Sequence, residues 1–273
     1  MLKQIIPTGE EVRAICEIVR TKLGLKFGDD KVPLITSRLG KRLRDLRLES
    51  YRHYLEKVMA EKEELDYMLD LLTTNVTQFF REPWQFHFLL NHVIPELRTR
   101  KKEKTIRGWS AGCATGEEPY TIAMLLLDYL PAEWSVKVLA SDVSASSLQV
   151  GAEGCYKAEQ MKDVPKDFLK KYFEPVDKHT YQVTGRLRQS VFFKRINLMD
   201  DQVLPSRIVL DFIFCRNVFI YFPREIQQKV IDTFFRHLAP GGYLFLGHSE
   251  SLDVARDRRW KAFRGNVYQR KEG

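Results

Sequence analysis

The segment Arg107-Gly108-Trp109-Ser110-Ala111-Gly112-Cys113-Ala114-Thr115-Gly116-Glu117-Glu118 restricts the fold more than any other part of the chain. An apolar, strand-like run ends at Ser110, two glycines follow within a short loop, and a helical pattern starts at Glu118. In open α/β sheets, ligands sit at the carboxyl ends of the strands, beside such a loop. Glycine there lets the backbone approach the ligand closely. The lysine and hydroxyl residue that complete a P-loop do not follow. Glu117 and Glu118 open the helix instead. Acids in a first turn suit the helix dipole, but they repel pyrophosphate. A cationic cofactor with an amino-acid tail is the better guest, and S-adenosylmethionine (SAM) carries both a sulfonium and an ammonium.

The rest of the chain supports an α/β sheet over its second half only. From about Thr105, short apolar runs (Thr105–Ser110, Val136–Ser141, Asp211–Cys215, Tyr243–Gly247) alternate with helical patterns (Glu118–Tyr129, near Ser144–Gly151, Arg224–Leu238). That alternation predicts a parallel sheet with crossover helices. Residues 10–72 instead repeat apolar positions at three- and four-residue steps, as in Val12, Ile15, Ile18, Val19 and Leu65, Met68, Leu69, Leu72. Gly24, Gly28 and Pro33 punctuate this stretch, with Ser37 and Ser50 as candidate helix caps. The reading is a helical N-terminal domain over 1–75, a linker or lid over 76–104 carrying Pro83 and Pro95, and an α/β domain over 105–273. Tyr181-Gln-Val and Val191-Phe-Phe, with Gly185 between, predict a small antiparallel insertion at about 172–193.

Polar residues gather at the ends of several strands. Asp142 closes the second run, where an acid commonly accepts hydrogen bonds from ribose hydroxyls; capping the next helix is its alternative role. Asn197-Leu198 follow the run Val191–Ile196, and Arg216-Asn217 end the run Asp211–Cys215. All fall at the rim that holds the glycine loop. The four cysteines (Cys16, Cys113, Cys155, Cys215) have no metal-ligand spacing, so no metal site is expected and the thiols read as buried in a reducing compartment. No apolar run is long enough to span a bilayer, and residues 1–10 carry no signal-peptide pattern. The expectation is a cytoplasmic protein without membrane insertion.

Four motifs then match one family. They are Asn75-Val76-Thr77-Gln78-Phe79-Phe80-Arg81-Glu82, Ser110–Tyr120, Cys215-Arg216-Asn217-Val218-Phe219-Ile220-Tyr221-Phe222 and Gly241-Gly242-Tyr243-Leu244-Phe245-Leu246-Gly247-His248-Ser249-Glu250. In this order they resemble the chemotaxis receptor methyltransferases, CheR, over nearly the whole chain. The resemblance implies a Rossmann-like SAM-dependent methyltransferase domain with a small antiparallel β insertion, preceded by a helical domain. It implies methyl transfer from SAM to glutamates on the cytoplasmic helices of chemoreceptors, giving glutamyl methyl esters and S-adenosylhomocysteine. By the same resemblance Asn75, Thr77, Arg81, Glu117, Asp142, Asn197, Leu198, Arg216 and Asn217, with Gly112 of the loop, hold the cofactor. Arg81 and Tyr221 match the positions nearest the reacting groups. If residues around Arg81 touch the cofactor, the linker must fold over the site as a lid. In some members the small sheet takes a receptor's C-terminal peptide as an added strand, which makes that peptide a second expected partner.

A glutamate nucleophile is already ionised at neutral pH, with a pKa of about 4.3, so the reaction needs no general base; His248 has no task in it. The formal charge of +8 points to a polyanionic partner. Residues 31–57 concentrate that charge, with Arg38, Lys41, Arg42, Arg44 and Arg47 around the apolar Leu39, Leu43 and Leu46. Such a helix packs on one side and shows cations on the other, and those residues are the expected docking surface for an acidic receptor helix. Two other readings stay open at this stage. A methyltransferase acting on nucleic acid fits the charge, although the chain lacks a nucleic-acid-binding motif. A SAM-binding regulatory module without catalysis fits the fold.

Overall fold

A computed structural model describes residues 5–28, 31–200 and 202–272. They form two compact units, Met1–Thr74 with Tyr221–Gln227, and Asn75–Ile220 with Gln228–Gly273.

Among its described residues the first unit contains the helices α1 (Gly9–Leu23), α2 (Val32–Asp45), α3 (Tyr51–Ala60) and α4 (Lys62–Leu72). Thr8 and Glu11 form a reciprocal capping box at the start of α1, and left-handed Gly24 ends it. Pro33 sits in the first turn of α2, where its missing N–H costs nothing. Ser37 therefore lies inside α2 and caps nothing, whereas Ser50 does cap α3, its Oγ accepting from the His53 N–H at 3.3 Å. The buried stripes Ile15 and Val19, Leu39 and Leu43, Tyr54 and Val58, Met68 and Leu72 make the core. A bidentate pair ties α2 to α4: Arg42 Nε and Nη2 donate to the buried Glu64 at 2.9 and 2.6 Å. The Arg42 hydrogen bonds hold the Glu64 carboxyl below its ordinary range.

The first helical run of the second unit is continuous: α5 (Pro83–Phe88), a π turn over Leu89–Val93, and α6 (Ile94–Arg100). Pro95 has no N–H to give the α-helical ladder, and the widened turn falls just before it. There follow β1 (Thr105–Ala111), α7 (Glu117–Tyr129), β2 (Ser135–Asp142), α8 (Ala145–Glu153), β3 (Cys155–Lys157), α9 (Lys166–Tyr172), β4 (Phe173–Pro175), β5 (Thr180–Val183), α10 (Gly185–Arg188), β6 (Val191–Arg195), β7 (Leu210–Cys215), α11 (Arg224–His237), β8 (Leu238–Leu246), β9 (Trp260–Phe263) and β10 (Val267–Arg270).

The main sheet has the order β6-β2-β1-β7-β8-β10-β9. The chain steps outward from β1 to β2 and β6, then resumes on the other side of β1 with β7 and β8, all parallel. The order reverses between β1 and β7, so a crevice opens there at the carboxyl ends. Both faces of β7 are buried, as its continuous apolar run demands.

The small antiparallel sheet is present, with the order β3-β5-β4. Its strands differ from the sequence expectation. Val191–Arg195 belongs to the edge of the main sheet, parallel to β2, and the third strand of the small sheet is Cys155–Lys157. A short apolar run carries strand propensity but does not name its partner. The C-terminal hairpin β9–β10 also went beyond the expected strands.

Candidate functional site

The glycine loop is locked to the end of β2. Gly112, at φ 81°, and Cys113 both donate backbone N–H groups to Ser141 O, at 2.8 and 2.9 Å. The N–H of Ala114 donates to Asp142 Oδ2 at 2.9 Å, and that of Ser144 to Asp142 Oδ1 at 2.9 Å. Asp142 is thus a buried acceptor joining two loops. The cap of α8 is Ser144, whose Oγ accepts from the Ser147 N–H. The N–H of Ile196 donates to Asp142 O at 3.0 Å, which seats Asn197 and buried Leu198 beside the same strand end.

The two acids that open α7 have different tasks. Glu117 accepts from Thr115 Oγ1 at 2.7 Å and Gln160 Nε2 at 3.2 Å. Burial pushes its pKa up, and these hydrogen bonds oppose the shift. Glu118 turns inward, accepting from Ser110 Oγ at 2.7 Å and facing Arg216 Nε at 2.9 Å. Burial raises its pKa as well, against the pull of Arg216.

Residues 75–82 belong to the same compact unit as the sheet and form a strap pinned along its length. Asn75 Nδ2 donates to Ser147 Oγ at 2.7 Å. Phe79 is buried edge-on against Tyr156 and Phe173. The N–H of Phe80 donates to Thr121 Oγ1 on α7 at 3.2 Å. Thr77 is half-buried. The Arg81 carbonyl accepts from Arg216 Nη2 at 2.6 Å, while its own guanidinium makes a single hydrogen bond, to Val76 O at 3.1 Å.

Four of the six left-handed non-glycine residues among the described residues lie on these elements: Phe80 and Glu82 on either side of Arg81, Ala114 in the glycine loop, and Asn217 after β7. Each such conformation costs about 1–3 kcal/mol and persists only where the surroundings over-determine it, often at functional sites. Asn217 shows what does so. Its N–H and that of Gly247 donate to Glu250 Oε2 at 2.9 and 2.6 Å, and the Ile220 N–H reaches Glu250 Oε1 at 3.3 Å. Burial raises the Glu250 pKa while these N–H groups favour its carboxylate.

The structure therefore brings Asn75, Arg81, Gly112, Glu117, Asp142, Asn197, Leu198 and Asn217 to one rim of one unit. Arg216 ends β7 at that rim, but its side chain is only 2% exposed and points into the unit. Tyr221 falls in the segment grouped with the helical unit, where its carbonyl accepts from the Lys26 N–H at 2.5 Å. Among the basic residues of α2 and its end, Arg38 donates to the carbonyls of Leu71 and Thr73 and Arg42 pairs with Glu64, whereas Lys41, Arg44 and Arg47 are exposed. Gln160, Gln85 and Glu250 were not singled out as contributors to the site from the sequence, and Glu118 was read with Glu117 as an acid opening the helix, not as the partner of Arg216. Glu250 closes the Gly-His-Ser-Glu motif, but nothing in one dimension shows it folding back onto Asn217.

Two buried acceptors bear on the guest. Asn217 Oδ1 and Glu82 Oε2 are buried without a hydrogen-bond partner, a state that costs free energy unless a donor or cation arrives. Asn217 Oδ1, Asp142 and Glu117 stand on the strand-end loops, and such acceptors are hostile to phosphate and fit the ammonium and ribose hydroxyls of SAM. Among the described residues no cluster of His, Cys, Asp and Glu could hold a metal ion, and no helix is long and apolar enough to cross a membrane.

A doubly wound sheet with this rim at its switch point defines a SAM-dependent methyltransferase. The comparisons carry the assignment further. The family description "CheR methyltransferase, SAM binding domain" matches residues 75–268, and "CheR methyltransferase, all-alpha domain" matches residues 10–73. The "Chemotaxis protein methyltransferase" of Borreliella burgdorferi is 36% identical over 254 residues, covering 90% of this chain and 89% of that one. That of Escherichia coli is 35% identical over 261 residues, covering 92% and 88%. "Chemotaxis protein methyltransferase 2" of Vibrio cholerae is 34% identical over 255 residues, covering 92% and 88%. The chain belongs to the CheR methyltransferase family.

Proposed function

We propose that this methyltransferase acts in the cytoplasm on glutamate side chains of chemoreceptor helices, forming glutamyl methyl esters in chemotactic adaptation. The observation that carries this reading is the pairing of an acceptor-lined rim with one arginine, Arg81, whose guanidinium has a single internal hydrogen bond. The acceptors suit a cation, and the arginine suits a carboxylate. The relatives' names supply the chemotactic setting.

Bound SAM would supply an electrophilic methyl group on a sulfonium. Asp142 and Glu117 accept hydrogen bonds from the cofactor's hydroxyls, and Asn217 Oδ1 accepts from its ammonium. Asn75, Thr77, Asn197 and Leu198 complete the walls, and residues 76–104 act as the lid. Arg81 orients a carboxylate, the cofactor's or the incoming glutamate's, and Tyr221 is the second residue proposed for the reaction, through the motif it shares with the family. The reacting glutamate is already anionic, so no side chain takes a proton. A closed, dry rim favours a step in which opposite charges cancel, and positioning lowers the barrier further.

The test is transfer of labelled methyl from SAM to purified receptor fragments. Base-labile label on the fragments is expected. Label on RNA would support the nucleic-acid alternative and overturn this one, as would SAM binding without transfer to any receptor fragment.

Glu117 gives a pH prediction. Its raised pKa means that protonation begins at a higher pH than for an ordinary carboxylate. A ribose hydroxyl binds the ionised form better, so SAM affinity should fall as pH drops from neutral through that raised value. Glu117→Gln should bind more weakly at neutral pH and lose this dependence, as calorimetry at a series of pH values would register.

The exposed cations Lys41, Arg44 and Arg47 are the proposed receptor-docking residues, with Arg38 and Arg42 holding α2 in place behind them. Reversing Arg44 and Arg47 to glutamate should slow receptor methylation about tenfold at low salt, since complementary charge acts mainly on encounter. The SAM dissociation constant should not move. The small sheet β3-β5-β4 is the proposed seat of a receptor's C-terminal peptide, taken as an added strand.

A further inference from the structure

We propose that Arg216 serves methyl transfer as a positioning residue, holding Arg81 in place through its backbone carbonyl. The inference rests on the proposed function only in giving Arg81 its grip on a carboxylate.

Two nitrogens of the Arg216 guanidinium hydrogen-bond to protein groups, and the third lies at ion-pair distance from a carboxylate without a hydrogen bond. Nη2 donates to Arg81 O at 2.6 Å, Nη1 donates to Gln85 Oε1 at 3.1 Å, and Nε faces Glu118 Oε2 at 2.9 Å. The cation also lies over the Phe86 ring, 5.2 Å from its centroid. These partners are themselves fixed. Gln85 Nε2 donates to Leu246 O at 2.7 Å and Gly265 O at 3.1 Å, which turns its oxygen toward Arg216. The second Glu118 oxygen is held by Ser110. A buried cation needs such pairing, and the hydrogen bonds of Nη1 and Nη2 both go to protein groups.

What this anchored group grips is the middle of a strained turn. Phe80 and Glu82 are both left-handed, at φ 57° and 56°, with Arg81 between them. That backbone would relax toward ordinary regions if nothing held it. The bond from Arg216 fixes the Arg81 carbonyl and with it the backbone that carries the Arg81 side chain. A lysine keeps the charge opposite Glu118, but one ammonium cannot span three partners in the plane of a guanidinium fork.

The test is a double-mutant cycle in the full chain, combining Arg216→Lys with Arg81→Ala. SAM binding is followed by calorimetry and methyl transfer by labelled SAM, with thermal melting as the folding control. Arg216→Lys alone should weaken SAM binding and lower kcat/KM by on the order of tenfold, and in the Arg81→Ala background by less than about twofold, because coupled residues are not additive. Equal losses in both backgrounds, or no loss from Arg216→Lys, would overturn the proposal. If Arg216→Lys does not fold, Gln85→Met removes one partner of the guanidinium and carries the same cycle. Should the wild type bind SAM yet methylate no receptor fragment, the glutamate reading fails. The cycle read on the SAM dissociation constant still decides the role of Arg216.

Discussion

Arg81→Ala should lower receptor methylation by about a hundredfold or more, the largest catalytic effect expected of any single side chain here. Hydrogen bonds to charged groups are worth roughly 1.5–3 kcal/mol, and a donor aimed at the transition state about 2.7–4 kcal/mol. The strap concentrates its design on this residue. Asn75, Phe79 and Phe80 tie it to α8, the small sheet and α7, and Arg216 holds the Arg81 carbonyl. Arg81→Lys should recover only part of the loss, because an ammonium cannot grip a carboxylate in bidentate fashion. Initial rates with labelled SAM, at saturating and limiting cofactor, would measure both variants. Near-full turnover by Arg81→Ala would remove the residue from the chemistry.

The second large effect concerns Gly112. A Cβ built there would lie 2.4 Å from Val218 Cγ2, and the backbone sits at φ 81°. Gly112→Ala must therefore bear a left-handed penalty of about 1–2 kcal/mol and an overpacking cost of about 1–3 kcal/mol. Val218 adjoins Asn217, so relief of the clash would displace both the glycine loop and the segment that Glu250 pins. SAM affinity should fall at least about thirtyfold, corresponding to roughly 2 kcal/mol at 1.4 kcal/mol per tenfold, with a clear drop in melting temperature. Calorimetry and thermal melting of the purified variant would check this. Unaltered SAM affinity in Gly112→Ala would mean that the loop does not approach the cofactor.

Much of the site was legible in the sequence because its residues follow strand ends closely. Gly112, Glu117, Asp142, Asn197 and Asn217 each stand within a few positions of an apolar run, and parallel strands bring their carboxyl ends to one rim whatever the loops do. The helical style of residues 10–72 was legible for a similar reason, since a repeat of three and four describes one buried face. Local chemistry misled where the local pattern fits more than one partner. Val191–Arg195 reads as a strand in any sheet, and Ser37 reads as a cap wherever a helix is allowed to begin.

By itself, then, the sequence determined the two styles of folding, the glycine loop, the acids that exclude phosphate, and the motifs that mark the family. Only the tertiary structure decided which partner each buried charged group meets. Glu117 and Glu118 are neighbours in the chain and both are buried, but a helix turns them about 100° apart, so one meets Thr115 and Gln160 and the other meets Arg216. Arg216 and Asn217, equally adjacent, part in the same way, one onto the Arg81 carbonyl and the other onto Glu250. Those pairings join residues far apart in the chain, and the free-energy penalty for an unpaired buried charge is what selects them.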